Sequence, residues 1–314
     1  MCELPKLKYA SIDVEFMAIE RLNLPFYKGS TLRGAFGWAF KKAVCVTREY
    51  NCGACPIYDK CVYPYVFETP AIDSDGVPQK VPYAPHPFVL VPPPPDSSEI
   101  LPGESIRFGL TLIGNAVPFL PHFLLALDIM AKSGLGKERR KLTLVRTFQG
   151  DALLSAGTRL LKEPKVKNLD EFNSPIERVN VLKLRFISPL KLISKGKIVR
   201  QPDMETLLRS TRRRLRWLTL FHSETPWDAE KACPLEGAER IKLVHSEIRD
   251  FEVVRYSNRK RRRMEFKGII GEAIYEGPIT SFIPLLRAAE VIHIGKATSF
   301  GFGKVEIEPL NTKQ

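Results

Sequence analysis

Strand-like and helix-like segments alternate in the same order in each half of this 314-residue chain, and this repeat constrains its fold more than any other feature. A two-residue hydrophobic period predicts strands, and apolar residues three and four apart predict helices. In the first half the predicted strands are 7–20, 104–113 and 142–148, and the predicted helices are 31–44 and 119–131. In the second half the predicted strands are 181–186, 248–256, 262–275, 290–294 and 305–307, and the predicted helices are 204–221 and 281–289.

This order is close to βαββαβ in each half, which predicts an α+β protein of two tandem ferredoxin-like domains, residues 1–178 and 179–314. The RNA-recognition motif (RRM) shares the layout, and its sheet binds single-stranded RNA. Two insertions interrupt the first domain. One is cysteine-rich, at 45–61, and the other, at 78–95, contains eight prolines that argue against any regular element. Residues 162–178 are expected to be a linker.

The charge of the chain is unevenly distributed. The formal net charge is +13, with 22 Lys and Arg against 19 Asp and Glu in residues 1–180, and 26 against 16 in residues 181–314. A strongly basic half favours a polyanionic partner. We found no apolar run of membrane-spanning length and no signal peptide, so we expect a cytoplasmic protein that does not bind membranes.

The last segment of the chain combines glycine, lysine and phenylalanine before a final predicted strand. It runs from His293 to Lys304 as HIGKATSFGFGK. Glycine allows close approach of an anion to the backbone, lysine supplies charge, and phenylalanine offers a face on which a base can stack. The alternative is an ordinary tight turn, because the glycine spacing matches neither a Walker loop nor a dinucleotide-binding fingerprint.

Two predicted helices carry basic faces. In helix 31–44, for which Ser30 is the expected N-cap, Arg33 and Lys41 lie on either side of Gly37. Its predicted buried stripe is Leu32, Phe36, Ala39 and Ala43. The second helix, capped by Asp203, places most of its arginines opposite a core face of Leu207, Leu208, Thr211, Leu215 and Leu218. Either basic face can contact phosphate or simply be solvated. Basic loops at 137–141 and 259–261 add to the charge.

Four of the six cysteines are clustered as C-x6-C-x2-C-x5-C: Cys45, Cys52, Cys55 and Cys61. Disulfides are not expected in a cytoplasmic protein. Four thiolates can hold a structural Zn²⁺ or, alternatively, an iron–sulfur cluster. Unliganded thiols are the third possibility. No histidine lies close enough in sequence to suggest a catalytic zinc.

Several motifs, in order along nearly the whole chain, resemble those of one family. They are YKGSTLRGAFG at 27–37, CVYPYVFETP at 61–70, APHPFVL at 84–90, FGLTLIG at 108–114 and the glycine-rich segment itself. Together they resemble the CRISPR-associated RAMP endoribonucleases of the precursor-crRNA-processing (Cas-six) type. The glycine-rich segment matches the signature loop of that superfamily.

The resemblance implies a site-specific endoribonuclease that binds CRISPR repeat RNA and cuts once per repeat without a metal or other cofactor. A ribose 2′-OH attacks the adjacent phosphate and leaves 2′,3′-cyclic phosphate and 5′-OH ends. The implied partners are repeat RNA, crRNA and subunits of a CRISPR effector complex. The predicted RNA contacts are Lys28, Arg33, Arg139, Arg140, Arg212, Arg213, Arg216, Gly295, Lys296, Phe300, Gly301, Phe302, Gly303 and Lys304.

The catalytic base is where the sequence departs from the family. Relatives commonly carry a histidine directly after the RGAFG motif, whereas this chain has Trp38 there. The proposed substitutes are Lys41, Lys42 and Tyr27 around the first helix, or His293 beside the glycine-rich segment. The other four histidines are less favoured candidates for the base. His86 lies in the proline-rich loop, His122 lies near a helix start, and His222 and His245 are expected on the surface or in the core. Because of Trp38, an alternative function stays open, in which the chain is a non-catalytic crRNA-binding subunit of an effector complex.

Overall fold

The structure, a computed structural model, describes residues 2–48, 51–69, 84–94, 98–257 and 262–310, and the side chains of 255–257 and 262–264 lie outside that description. The chain divides into two compact units. The N-terminal unit comprises 8–167 and 221–223, and the C-terminal unit comprises 1–7, 168–220 and 224–314. The predicted boundary after residue 178 thus falls within a segment of the C-terminal unit. The basic run at 259–261 lies outside the described residues.

The N-terminal unit has a ferredoxin-like core. Its helices are α1 (Gly29–Val44) and α2 (Leu120–Ser133). Its strands are β1 (Lys8–Ala18), β2 (Leu22–Asn23), β3 (Phe88–Val91), β4 (Glu99–Ile100), β5 (Ser105–Ile113), β6 (Leu142–Gln149), β7 (Ala152–Ala156), β8 (Arg159–Leu160) and β9 (Lys167–Asn168). The main sheet has the order β3-β5-β1-β6-β7-β8, and its neighbouring strands pair antiparallel.

The C-terminal unit repeats this arrangement. Its helices are α3 (Met204–His222), whose last two residues group with the N-terminal unit, α4 (Ala229–Ala232) and α5 (Ile283–Ile292). Its strands are β10 (Val181–Leu190), β11 (Ile193–Ser194), β12 (Lys197–Ile198), β13 (Lys242–Ser257), β14 (Arg262–Glu276) and β15 (Val305–Pro309). The order β13-β14-β10-β15 corresponds to β3-β5-β1-β6, so two ferredoxin-like domains are confirmed.

An aromatic cluster anchors α1 and α2 in the N-terminal unit. Phe36 and Phe40 of α1 meet Phe123 of α2 with ring centroids 5.5 and 4.9 Å apart. Phe67 and Phe88 complete the cluster from the segments between α1 and β5. Each fully buried Phe stabilises the fold by about 1.5–3 kcal/mol of transfer free energy, so this cluster fixes α1 firmly.

Several predicted boundaries were wrong. Helix α1 begins at Gly29, with Lys28 at the N-cap position, and Ser30 already lies in the helix. Strand β3 forms within the proline-rich window, because Phe88–Val91 contains no proline and pairs with β5 at the edge of the sheet. The predicted strand 290–294 is replaced by the end of α5 and the start of the glycine-rich segment. By contrast, Asp203 does cap α3, accepting from the Thr206 N–H at 2.6 Å.

Two other expectations need correction. Cys2 and Cys233, both in the C-terminal unit, form a disulfide. The stretch Gly114–Ser133 also has the length and hydropathy of a membrane span, although half of its window is buried. Because Phe123, Leu124 and Leu127 lie in the core of the N-terminal unit, the stretch is a core helix and only weak evidence for a span.

Candidate nucleic-acid interface

The glycine-rich segment is a tight loop that connects α5 to β15. Five residues of the loop have positive φ angles: His293, Gly295, Ala297, Gly301 and Gly303. The Ile294 N–H donates to the Gly303 carbonyl, and the Gly303 N–H donates to the Pro189 carbonyl, both at 2.9 Å. These bonds fasten the two ends of the loop to each other and to the end of β10.

Glycine is required at one position for both conformation and space. At Gly303, φ is +76°, and an added Cβ would stand 1.9 Å from the Ile294 carbonyl oxygen. No side chain fits there without moving the backbone. The loop is therefore preformed, and its own backbone geometry requires glycine at this position whether or not a ligand binds.

His293 is part of the support of this loop. The ring is 1% exposed, and Nδ1 lies 2.9 Å from the Phe302 carbonyl oxygen. That oxygen can only accept, so Nδ1 carries the proton. Burial lowers the pKa of His293 to about 3, and the charge of Lys304 acts in the same direction. The ring is neutral and enclosed, so we assign it to loop structure rather than to contact with a substrate.

Three of the other predicted contacts in the loop also pack against the fold, whereas Lys296 does not. Phe302 is fully buried, with its ring 5.3 Å from that of Phe266, and cannot stack on a base. Phe300 is half-buried and packs on the same ring. The Lys304 ammonium donates to the Glu290 carbonyl oxygen at 3.2 Å. Lys296 is exposed and keeps its ammonium at the surface.

The arginines of α3 differ in what they contact. Arg212 donates to the Cys233 carbonyl oxygen at 2.9 Å and is half-buried, so its guanidinium is engaged in the fold. Arg213 is exposed and makes no ion pair or hydrogen bond with the part of the chain that the structure describes. Arg216 is also exposed, with Glu230 3.8 Å away. A surface ion pair this long contributes little, so of the three predicted contacts on α3, Arg213 and Arg216 are the accessible ones.

The residues just before α1 are buried. Lys28 is 1% exposed, and its ammonium donates to the Pro94 carbonyl oxygen at 2.9 Å. Tyr27 is 7% exposed, and burial raises the pKa of its phenol far above the ordinary value. The predicted roles of Lys28 as a phosphate contact and Tyr27 as a catalytic group therefore do not fit the geometry.

Cations on α1 rest against aromatic rings. The Arg33 guanidinium lies 4.6 Å from the centre of the Phe67 ring. The ammonium groups of Lys41 and Lys42 lie 5.4 Å from the Tyr63 ring and 5.2 Å from the Trp38 ring. Lys42 and Trp38 are exposed, whereas Lys41 is half-buried. The accessible pair at this end of α1 is therefore Lys42 and Trp38.

Loop 134–141 is less cationic at its surface than its sequence suggests. Arg140 contacts the carboxylates of Glu138 and Glu20, at 2.9 and 3.8 Å. Arg139 is exposed, with φ at +52°. Of the two predicted contacts, Arg139 is the one left at the surface.

Two histidines are accessible, and neither was a favoured candidate from the sequence. His122 is exposed at the start of α2, and His245 is exposed on β13. His222 is buried between the Tyr65 hydroxyl and the Pro85 carbonyl oxygen, at 3.0 and 2.7 Å. The helical period was a usable signal for His122, because it places this residue off the stripe formed by Phe123 and Leu127.

The four clustered cysteines line one pocket of the N-terminal unit, together with Lys41, Thr47, Tyr58 and Tyr63. All four are free and half-buried. Burial lowers the pKa of Lys41, but its hydrogen bond to Cys52 and the charge of that sulfur outweigh burial and raise it. Among the residues described, no three His, Cys, Asp or Glu side chains are gathered closely enough to hold an ion.

Comparison with known proteins matches a family model to each part of the chain. Residues 7–170 match AF_1859_N, described as an N-terminal domain, and residues 184–305 match the CRISPR-associated endoribonuclease Cas6. An uncharacterized protein of Archaeoglobus fulgidus is 26% identical over 289 residues, which cover 90% of this chain and 91% of the relative.

Solved structures share the fold at low sequence identity. A Cas6 product complex superimposes with a TM-score of 0.60 at 18% identity, covering 96% of this chain and all of the other. Thermus thermophilus Cas6 gives 0.57 at 16% identity, covering 97% and 100%. A chain of a partial Cas6-RT-Cas1–Cas2 complex gives 0.56 at 11% identity, covering all of this chain and 48% of that one.

Proposed function

This chain belongs to the CRISPR-associated endoribonuclease Cas6 family, and we propose that it binds the repeats of CRISPR precursor RNA and cuts once in each. The observation that carries the proposal is the family match over residues 184–305, which contain the preformed glycine-rich loop and the exposed arginines of α3. The partners are repeat RNA, the crRNA product and other CRISPR proteins. The basic C-terminal half supports a polyanionic ligand.

The proposed reaction is transesterification without a metal. The ribose 2′-OH attacks the adjacent phosphate, the bond to the 5′-oxygen breaks, and the products end in a 2′,3′-cyclic phosphate and a 5′-OH. This chemistry needs in-line positioning of the two oxygens, a base for the 2′-OH, an acid for the leaving oxygen and positive charge near the phosphorane. None of these roles requires a metal ion.

We assign the general base to His122. A base must reach the RNA, and His122 and His245 are the two exposed histidines. His122 adjoins Phe123, whose ring lies 4.9 Å from that of Phe40, the residue before Lys41 and Lys42. The start of α2, which carries His122, therefore lies against the end of α1. Histidine is well suited to proton transfer near neutral pH.

The proposed contacts to the RNA backbone are Lys296, Arg213, Arg216 and Arg139. All four are exposed, in contrast to the buried Lys28 and the engaged Arg212. Phosphate contacts of this kind position a substrate without reading its sequence. Base recognition is left to other parts of the surface.

The function is tested by incubating the full chain with end-labelled repeat RNA in EDTA. The expected result is one cut per repeat, with a cyclic phosphate on the upstream product and a hydroxyl on the downstream one. Cleavage that appears only after a divalent metal is added would contradict the metal-independent mechanism.

The base is tested with His122→Ala, using His245→Ala as the matched exposed-histidine control. We expect His122→Ala to lower the single-turnover cleavage rate roughly 10²–10⁴-fold, the contribution typical of general acid–base catalysis. RNA affinity should change little, and His245→Ala should cleave at the wild-type rate. Equal rates for the two variants would exclude His122 as the base.

The second candidate function is a non-catalytic crRNA-binding subunit of a CRISPR effector complex. It is favoured by the burial of both His293 and Tyr27 and by Trp38, an exposed tryptophan at the position where the resemblance implies a catalytic histidine. The EDTA assay separates the two functions, because this candidate predicts tight binding of repeat RNA with no product at any time.

A further inference from the structure

The pocket lined by Cys45, Cys52, Cys55 and Cys61, here called the thiol pocket, lies at the C-terminal end of α1. Cys45 is the C-cap of the helix and donates its N–H to the Lys41 carbonyl oxygen at 2.9 Å. The other three sulfurs arrive from the segment that follows. One wall of the pocket is therefore fixed to a well-packed helix, while the opposite wall is a short excursion of the chain.

That excursion has almost no core of its own. Between 51 and 61 the described residues are exposed or half-buried, and the backbone forms only short 3₁₀ turns, Cys52–Ala54 and Tyr58–Lys60. Ordering each residue costs about 1–2 kcal/mol of backbone entropy. Apolar burial does not offset that cost here, so a further interaction is needed to hold the segment against α1.

The turns place cysteines at their ends. The Cys55 N–H donates to the Cys52 carbonyl oxygen at 3.0 Å, which closes the turn of the C-x2-C pair. Cys61 immediately follows the second turn, with its N–H directed to the Tyr58 carbonyl oxygen at 3.3 Å. Two short turns and a helix end thus deliver all four sulfurs to one pocket.

Polar groups already surround these sulfurs. Lys41 hydrogen-bonds to Cys52, and the backbone N–H of Tyr63 donates to the sulfur of Cys61. The Thr47 hydroxyl lies 3.9 Å from the Cys45 sulfur and 3.6 Å from the Cys55 sulfur. Donors of this kind orient thiolates and disperse their charge in metal sites.

We propose that the thiol pocket binds one structural Zn²⁺ through Cys45, Cys52, Cys55 and Cys61. Four soft thiolates with no oxygen or nitrogen ligand favour zinc or an iron–sulfur centre. Half-exposed sulfurs favour zinc, which has no redox chemistry of its own. Binding draws the four sulfurs into a tetrahedron, releases thiol protons and fastens the excursion to α1.

The bound ion also supports the neighbouring surface. Four thiolates and one Zn²⁺ carry a net charge of −2, next to the Lys41 ammonium. Beyond Cys61, Tyr63 stacks on Phe67, with ring centroids 5.4 Å apart, and Phe67 enters the aromatic cluster of the core. The ion therefore connects the end of α1 to that cluster through a segment that has little other support.

The test measures the metal content of the purified full chain by elemental analysis. We expect about one zinc per chain, with loss of the zinc in each of the four variants Cys45→Ser, Cys52→Ser, Cys55→Ser and Cys61→Ser. Cys2→Ser and Cys233→Ser are matched controls, because these cysteines lie outside the pocket, and both should retain the zinc. Replacing zinc with Co²⁺ should give sulfur-to-cobalt charge-transfer absorption in the wild type.

A measurement on the wild type covers the case in which the serine variants do not fold. Titration with a mercurial thiol reagent should release the zinc as the four free thiols react, and re-adding Zn²⁺ to the reduced chain should restore it with proton release. A chain without zinc that also fails to take it up would overturn the proposal. So would iron with acid-labile sulfide in place of zinc, or zinc retained after all four substitutions.

Discussion

A single buried histidine shows how a residue's environment determines its role. His293 has the side chain expected of a general base and lies beside the loop expected to bind RNA, yet it is fully enclosed and donates to the Phe302 carbonyl oxygen. Its pKa is lowered from 6.5 to about 3. In the unfolded chain the imidazole takes up a proton near its ordinary pKa, and in the folded chain it does not.

This difference predicts acid sensitivity. Between pH 6.5 and 3 the unfolded state binds a proton that the folded state excludes, so the free energy of unfolding falls as the pH falls. The slope contributed by this residue is up to about 1.4 kcal/mol per pH unit. His293→Gln keeps a neutral donor and should flatten the slope measured by denaturant unfolding at several pH values. The exposed-residue control His245→Gln should leave it unchanged, and equal slopes in all three proteins would contradict the prediction.

Burial also explains why some residue assignments could not be made from the sequence. The residue types of Lys28 and Phe302 suggest RNA contacts, but both side chains are buried. The Lys28 ammonium instead donates a hydrogen bond to the Pro94 carbonyl oxygen. Such roles depend on segments far apart in the chain. Arg213 and Lys296 were predicted as contacts and are exposed, as an electrostatic surface requires.

Among the elements, α3 combines a core face with a basic face. Its predicted core residues Leu207, Leu208, Thr211, Leu215 and Leu218 are all buried. The arginines then separate by partner: Arg209 pairs with Glu205 one turn earlier, and Arg213 and Arg216 remain accessible. The period of the sequence predicts the face of a helix, but it does not predict which cations on that face are already neutralised.

We expect Arg213→Ala and Arg216→Ala each to weaken repeat-RNA binding and to reduce the salt dependence of log K by about 0.7–1, the value for one lost phosphate contact. The measurement is RNA binding over a range of salt concentrations. Arg209→Ala is the matched control on the same helix, because its guanidinium already pairs with Glu205, and it should leave the slope unchanged. The same slope in all four proteins would mean that these arginines only face solvent.

The helices and several long strands were predicted closely, whereas short strands were missed, β13 begins six residues earlier than predicted, and β10 ends four residues later. Strand β5 and helix α2 lie within two residues of their predictions, because hydrophobic periodicity over nine or more residues outweighs local effects. The four-residue strand β3 was not predicted, because prolines flank it on both sides. The end of α5 was missed because the chain leaves the helix at His293 with φ at +63°, where a strand had been predicted.

At the scale of the whole molecule, the strand order found in one unit recurs in the other, although their insertions differ. The repeat could be predicted because each ferredoxin-like core has its own strand–helix pattern. The grouping of residues 1–7 with the C-terminal unit could not be predicted from the sequence, since it depends on contacts between residues that are far apart in the chain. There the Glu3 N–H donates to the Ala232 carbonyl oxygen, and Leu4 exchanges hydrogen bonds with the Asn173 side chain.

The Cys2–Cys233 disulfide closes this long connection and leads to a prediction for the whole chain. It joins residues 231 positions apart, so it removes much conformational freedom from the unfolded state. Disulfides typically stabilise by about 2–4 kcal/mol, so reduction should lower the denaturation midpoint measured with and without a thiol reductant. Cys2→Ser and the double variant Cys2→Ser/Cys233→Ser should lose the same amount, because the first substitution already removes the bond. Neither variant should respond further to the reductant, and a wild-type midpoint that reductant does not move would contradict the prediction.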